Sequence, residues 1–428
     1  MVPVLNLVGV PSTSQQNSKP MLHHTLGDGR YDAYTVAAQQ FTYSQATLRN
    51  SNNAAAEIDR VLIDCITKAR PVYLSLPTDL VSAKISTERL RTPLTRSPPP
   101  NNPQIESFVV DAIAKQFEEA QGDAVVLVDA CVIRHGVKDE LNEFLKKTKF
   151  PVYSTPMGKT AVDENFERYG GIYLGSISRP DVKERVESAK LVLSVGGLRS
   201  DFNTGNFSYK IPVKRTIELH SDHTKVQYAA FPGIGMKELI PKLTERLESY
   251  HVAASKLVVP RFTAPVPQEK LQTISHNFFW PRVAEFFRPQ DIIVTETGNQ
   301  LTVQELSVML RVGVKPIVFV LNNSGYTIER FIHGKTRKYN DISNWQWTSL
   351  LKVLGDADET LSNSYTVRTK TELSDLLDNS AFARADKMQV VEVIMDKLDA
   401  PRSLQLQAEA SGKANAYDAS SNPTTSLA

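Results

Sequence analysis

Cysteine is scarce: Cys65 and Cys131 are the only two in 428 residues. Two thiols cannot build a disulfide framework, so the pattern fits a reducing compartment, with both side chains serving as small core hydrophobes. Charge of one sign is missing too. Lys plus Arg number 49 and Asp plus Glu 47, a formal net charge of +2. Nothing in that balance calls for nucleic acid as a partner. Long apolar runs are absent, and no segment reaches the ~18 consecutive apolar residues of a membrane span. Residues 1–11 carry no Lys or Arg ahead of their apolar run, which makes a poor secretory leader. There is no repeat at solenoid period and no G-x-x-x-x-G-K-[ST] loop, and the Gly-rich stretch 170–175 does not fit a dinucleotide fingerprint. What remains is ordinary globular usage, 41% hydrophobic and 22% charged, in a length that suggests two to three domains.

Periodicity divides the chain into three blocks. Residues 1–95 open on a strand over 1–11. Asn53 then precedes an amphipathic helix with Ile58, Val61, Leu62, Cys65 and Ile66 on one stripe, and a short buried strand covers 70–77. A Pro-rich linker at 97–103 reads as unfit for a sheet interior or a helix. In residues 104–250, apolar runs at 124–128, 151–154, 191–195 and 216–219 alternate with helical patterns such as 137–147 and 181–188. That alternation predicts a parallel sheet covered by helices. A second linker lies near 258–267. Residues 270–402 carry expected strands at 291–295, 315–321 and 389–395 and a helix over 301–311 with Val303, Leu306 and Leu310 on one face. The tail, 403–428, is Ala, Ser and Asn rich. Its first half is compatible with helix, and 420–428 reads as disordered.

Three constellations bear on chemistry. At 318–329 an apolar strand runs into Asn322, Asn323, Ser324, Gly325, Tyr326, Thr327, Ile328 and Glu329. Carboxyl ends of parallel strands are where open sheets bind ligands. The Asn323 side-chain carbonyl and the Gly325 backbone carbonyl are hard oxygens on one turn and suit Mg²⁺, with Glu329 one turn further on. A plain strand-to-helix turn capped by Asn explains the same residues. His23 and His24 stand in a Gly-rich loop, either as proton carriers near neutral pH or as a solvated loop. His220 and His223 have a metal-ligand spacing, but no Cys or second acidic cluster is near, and a loop after a strand explains them better.

Several ordered segments resemble the fungal pyruvate decarboxylases, thiamine-diphosphate-dependent 2-oxo-acid decarboxylases. They are residues 8–12, 23–27, 70–74, 155–159, 200–205, 220–223, 301–305 and 321–329. Decarboxylases of indolepyruvate and phenylpyruvate are the near alternatives, and a non-catalytic paralogue that binds sister subunits is a third. The resemblance implies an α/β chain of three domains with doubly wound parallel sheets: a pyrimidine-binding domain (1–95), a middle domain (104–250) and a diphosphate-binding domain (270–402). It implies thiamine diphosphate and Mg²⁺ as cofactors, a small 2-oxo acid as substrate, a cytoplasmic homodimer or homotetramer, and no nucleic acid or membrane partner. By the same resemblance His23, His24 and Glu329 are catalytic, and His24, Tyr73 and Glu329 meet substrate. Asn323 and Gly325 bind metal, and Asn323, Ser324, Gly325, Tyr326, Thr327 and Ile328 form the cofactor turn. Cys131 stands where some yeast members carry a cysteine of substrate activation, and Asn6 where a histidine of that relay is frequent.

Two departures accompany the resemblance. The chain opens part-way through the pyrimidine-binding domain, so the Glu that activates the cofactor is not assigned. In the third block, 294–298 runs directly into 300–305, although the family places further strands and a Gly-Asp-Gly before that second segment. Glu296 falls where the signature Asp would stand. These departures imply first and third domains lacking elements, and a chain of impaired or no activity.

Overall fold

Most of the buried strands form where the β-branched and apolar runs lie. The computed structural model describes residues 2–261, 265–268, 270–295 and 302–414, in two units, 1–261 and 262–428.

The first unit holds two sheets. Strands β1 (Leu5–Val10), β2 (Ser44–Thr47) and β3 (Val72–Pro77) form a parallel sheet in the order β1-β3-β2. The helix Ser51–Lys68 covers it, burying Ala54, Val61 and Cys65 with Leu48, Val72 and Leu74. Asn53 does not precede this helix, as the stripe suggested. The cap is Asn50, whose side chain accepts from the amides of Asn52 (3.0 Å) and Asn53 (3.3 Å), so Asn53 lies in the first turn.

The second sheet has seven strands: β4 (Ala124–Val128), β5 (Val152–Ser154), β6 (Tyr169–Ile172), β7 (Leu191–Val195), β8 (Thr216–Leu219), β9 (His223–Val226) and β10 (Ala229–Pro232), in the order β10-β9-β8-β7-β4-β5-β6. Strands β4 to β8 are parallel. β4 and β7 are buried at every residue, as parallel strands covered on both faces must be. The pair β9–β10 is antiparallel and extends the β8 edge, an element the βα alternation did not announce. His223 therefore opens a strand rather than lying in a loop. The 97–103 stretch also differs from its reading as a linker unfit for helix. Pro103 is the first residue of the helix Pro103–Glu119, where its missing N–H has no partner to lose.

The sheet order places β5 and β6 on one side of β4 and β7 and β8 on the other, so the switch-point crevice lies between the carboxyl ends of β4 and β7. Asp129 fills it. Its buried carboxylate accepts from Ala130 N (2.6 Å), Thr155 Oγ1 (2.6 Å), Leu198 N (2.7 Å) and Asn203 Nδ2 (2.9 Å). Both cysteines are buried and unbridged, and burial pushes the Cys131 thiol up, with Asp129 adding to the effect.

Near the end of β8, Glu218 accepts from His220 Nε2 (3.2 Å) and pairs with Arg199 (2.9 Å) and Lys225 (3.6 Å). The His220 hydrogen bond, with Arg199 and Lys225 behind it, holds its carboxyl at about 2 against the opposing effect of burial. A folded-state value below the ordinary 4.5 gives stability that is present above pH 4.5 and lost as pH falls through about 2. Glu218→Gln should therefore lose about 2–3 kcal/mol at pH 7 and nothing once the carboxyl is protonated. Chemical denaturation at pH 7 and near pH 2 measures the difference, and an equal loss at both would refute the ion-pair origin.

In the second unit, β11 (Ile317–Asn322), β12 (Ser362–Val367) and β13 (Met388–Ile394) form a parallel sheet in the order β11-β13-β12. Helices His276–Phe286 and Lys370–Asp378 pack on one face through Phe279, Val283, Leu373 and Leu377. On another cluster, Leu310 of the helix Glu305–Val312 meets Val320. The expected strand at 291–295 does not form. Its residues enter no ladder, and Ile292 and Val294 are 92% and 83% exposed. Strand propensity is present there, but a strand needs a neighbour for its backbone groups, and among the described residues β11 pairs with β13 alone. Glu296 and residues 420–428 lie outside the described residues. The tail helix is Arg402–Ala414.

Candidate functional site

A sharply turned polar segment follows β11. β11 carries Phe319, Val320 and Leu321 into the sheet and ends at Asn322, where the chain needs a sharp turn before the helix Thr327–His333. Two residues supply it with unusual backbone: Ser324 has φ +58° and Gly325 φ +143°. A Cβ at Gly325 would stand 2.6 Å from the Asn340 carbonyl oxygen and would collide with the Arg330 guanidinium, so only glycine fits.

The two asparagines have different tasks. Asn322 is spent on structure: its Oδ1 accepts from Ser324 N (3.1 Å) and its Nδ2 donates to Glu392 on β13 (2.7 Å). Asn323 Nδ2 donates to Thr327 Oγ1 at 2.6 Å, and that hydroxyl donates to the Lys397 carbonyl at 3.0 Å. The Thr327 hydroxyl can then only accept from Asn323, which fixes the amide's orientation. Asn323 Oδ1 has no hydrogen bond among the described residues, so it is available to a cation. With the Gly325 carbonyl it makes two neutral hard oxygens on one turn. Mg²⁺ usually completes its shell with phosphate oxygens and water, so the turn fits a Mg²⁺-diphosphate group.

Glu329 lies on the first turn of Thr327–His333, its carboxylate 3.2 Å from His333 Nε2. The histidine, one helical turn on, escaped the sequence reading although an i,i+4 acid–imidazole pair is visible in 329–333. Tyr326 is half exposed and Thr327 buried.

His23, His24 and Tyr73 belong to the first unit, and 323–329 to the second. The two imidazoles are exposed and stand edge to face with centroids 4.9 Å apart, His24 in the left-handed region at φ +58°. Tyr73 is buried on β3, and burial pushes its hydroxyl up. His220 and His223 stack at 4.3 Å, and one nitrogen of each is bonded to a carboxylate, His220 Nε2 to Glu218 and His223 Nδ1 to Asp222. Among the described residues no group of His, Cys, Asp and Glu is arranged to hold a metal, so any cation at the turn must rely on amide and carbonyl oxygens. No described helix is long and apolar enough to cross a membrane.

Residues 110–246 match the family model described as the thiamine pyrophosphate enzyme, central domain. The chain is 38% identical to the pyruvate decarboxylase of Candida albicans, over 97% of this chain and 83% of that one. It is 38% identical to that of Aspergillus terreus (97% and 82%) and 37% to that of Candida glabrata (97% and 83%). The Candida albicans alignment spans 482 positions against 428 residues here, so at least 54 of its positions have no counterpart in this chain.

Proposed function

Because the chain belongs to the pyruvate decarboxylase family, we propose that its reaction is the non-oxidative decarboxylation of a 2-oxo acid, pyruvate to acetaldehyde and CO₂, with thiamine diphosphate and Mg²⁺. The observation that carries this is the turn after β11, where Asn323 Oδ1 has no hydrogen bond among the described residues and Gly325 admits no side chain. When bound, thiamine diphosphate supplies the electron sink that lets the carboxylate leave as CO₂. Asn323 and Gly325 hold the metal, and Ser324, Tyr326, Thr327 and Ile328 line the cofactor. Glu329, oriented by His333, moves a proton at the reacting carbon. The His23–His24 pair relays protons, with Tyr73 beside the substrate. The three α/β domains are 1–95, 104–250 and 270–402, and the protein works as a cytoplasmic homodimer or homotetramer.

Two neutral oxygens without a signature carboxylate hold Mg²⁺ weakly. The expected rate is lower than that of the relatives by at least about 10–100-fold, the usual effect of weakening even a metal's supporting contacts. Acetaldehyde release from pyruvate, coupled to alcohol dehydrogenase with and without thiamine diphosphate and Mg²⁺, tests this. Cofactor-dependent release supports the reading. No release from a chain that demonstrably binds the cofactor would leave a non-catalytic partner subunit instead.

A further inference from the structure

Arg330 is the largest fully buried side chain among the described residues, 1% exposed in a helix of seven residues. A buried guanidinium is costly, and a hydrophobe of the same volume packs as well. Its contacts show where its value lies. One nitrogen, Nη2, donates to the Ser324 carbonyl at 2.8 Å and pairs with Asp341 at 2.8 Å. Its Nε has no partner among the described residues. Both Nη2 contacts serve the turn, for Asp341 bridges in antiparallel fashion to Gly325.

The geometry on either side of Gly325 is thereby fixed. The preceding peptide is held by its Ser324 oxygen. In the following one, Tyr326 N donates to the Asn340 carbonyl at 3.4 Å. A trans peptide points its C=O opposite to its N–H, so the Gly325 carbonyl is directed away from Asn340 and out of the turn's supporting layer. Ser324 at φ +58° is held in a conformation that an unanchored serine rarely adopts.

We infer that Arg330, anchored by Asp341, is the positioning residue that aims the Gly325 carbonyl at the cation. This rests on the reading of Asn323 and Gly325 as Mg²⁺ ligands. Arg330 touches neither metal nor substrate; it acts through the backbone of Ser324 and Gly325.

Ion selectivity separates aiming from mere stability. Mg²⁺ demands near-octahedral geometry, whereas Ca²⁺ accepts irregular shells with longer bonds. Tryptophan fluorescence of the full chain, titrated with MgCl₂ or CaCl₂ at fixed thiamine diphosphate, gives both affinities. Arg330→Met should weaken Mg²⁺ by about tenfold or more and Ca²⁺ by less than about threefold. Arg330→Lys, which keeps the charge on a shorter stem, should fall between. Asp341→Asn removes the anchor and leaves Arg330 in place, so it tests the same aim should Arg330→Met not fold; it should shift the ratio in the same direction. Equal weakening of both ions, or an unchanged Mg²⁺ affinity, would overturn the inference while leaving the metal site standing. A wild-type chain that binds neither ion would overturn the metal reading itself.

Discussion

Asp129→Ala should destabilise the seven-stranded sheet by about 3–5 kcal/mol, the usual cost of removing one partner from a buried charged network. The carboxylate is 3% exposed and binds two backbone amides, a hydroxyl and an amide side chain. Thr155 and Asn203 are themselves buried at 2% and 1%, so their donors would be stranded without water. Asn203 also accepts from Met157 N at 3.0 Å, which carries the damage to the loop after β5. Asp129→Asn, which keeps one acceptor, should lose less. Hydrogen-exchange protection of the β4 amides reads the free energy directly. A loss under about 1 kcal/mol would mean that the crevice rehydrates and that the network is not what closes it.

Glu329→Gln should lower cofactor-dependent CO₂ release by about 10²–10⁴-fold, the usual contribution of a positioned acid–base group. Glutamine keeps the size and the contact with His333 but cannot carry the proton. Binding of thiamine diphosphate and Mg²⁺ should be unchanged, since Glu329 takes no part in the Asn323–Thr327–Lys397 chain of hydrogen bonds. Release of CO₂ from carboxyl-labelled pyruvate registers slow turnover well enough to show the drop. A loss confined to substrate affinity would move Glu329 from proton transfer to binding.

The central sheet was legible because its strands are short apolar runs buried on both faces: 124–128 and 191–195 carry no competing pattern. The β9–β10 pair was not, because His223–Val226 mixes exposed and buried residues over only four positions and Ala229–Pro232 buries none of its four. Residues 291–295 show the opposite failure. Their Ile-Ile-Val composition favours a strand, yet pairing is a property of neighbours, and the local sequence does not say whether one is present. In the turn, Asn323 and Gly325 could be singled out from a strand end followed by hard oxygens. Which asparagine keeps its side-chain oxygen free of partners among the described residues required the Thr327 and Glu392 hydrogen bonds, contacts 4 and 70 residues away. Arg330 and Asp129 were invisible for a related reason. A charged residue one turn into a helix or just past a strand looks solvated until the fold closes over it.

The edge of β11 that no described strand covers and the exposed run at 292–294 bear on how much of this protein a cell keeps. Open backbone edges and exposed branched side chains are features that holdases and proteases read in partly folded chains. Quality control can thus thin the population by degradation before any molecule meets substrate. The abundance of the chain then depends on how quickly these two features are covered after synthesis, a race between association and clearance rather than a property of the catalytic turn.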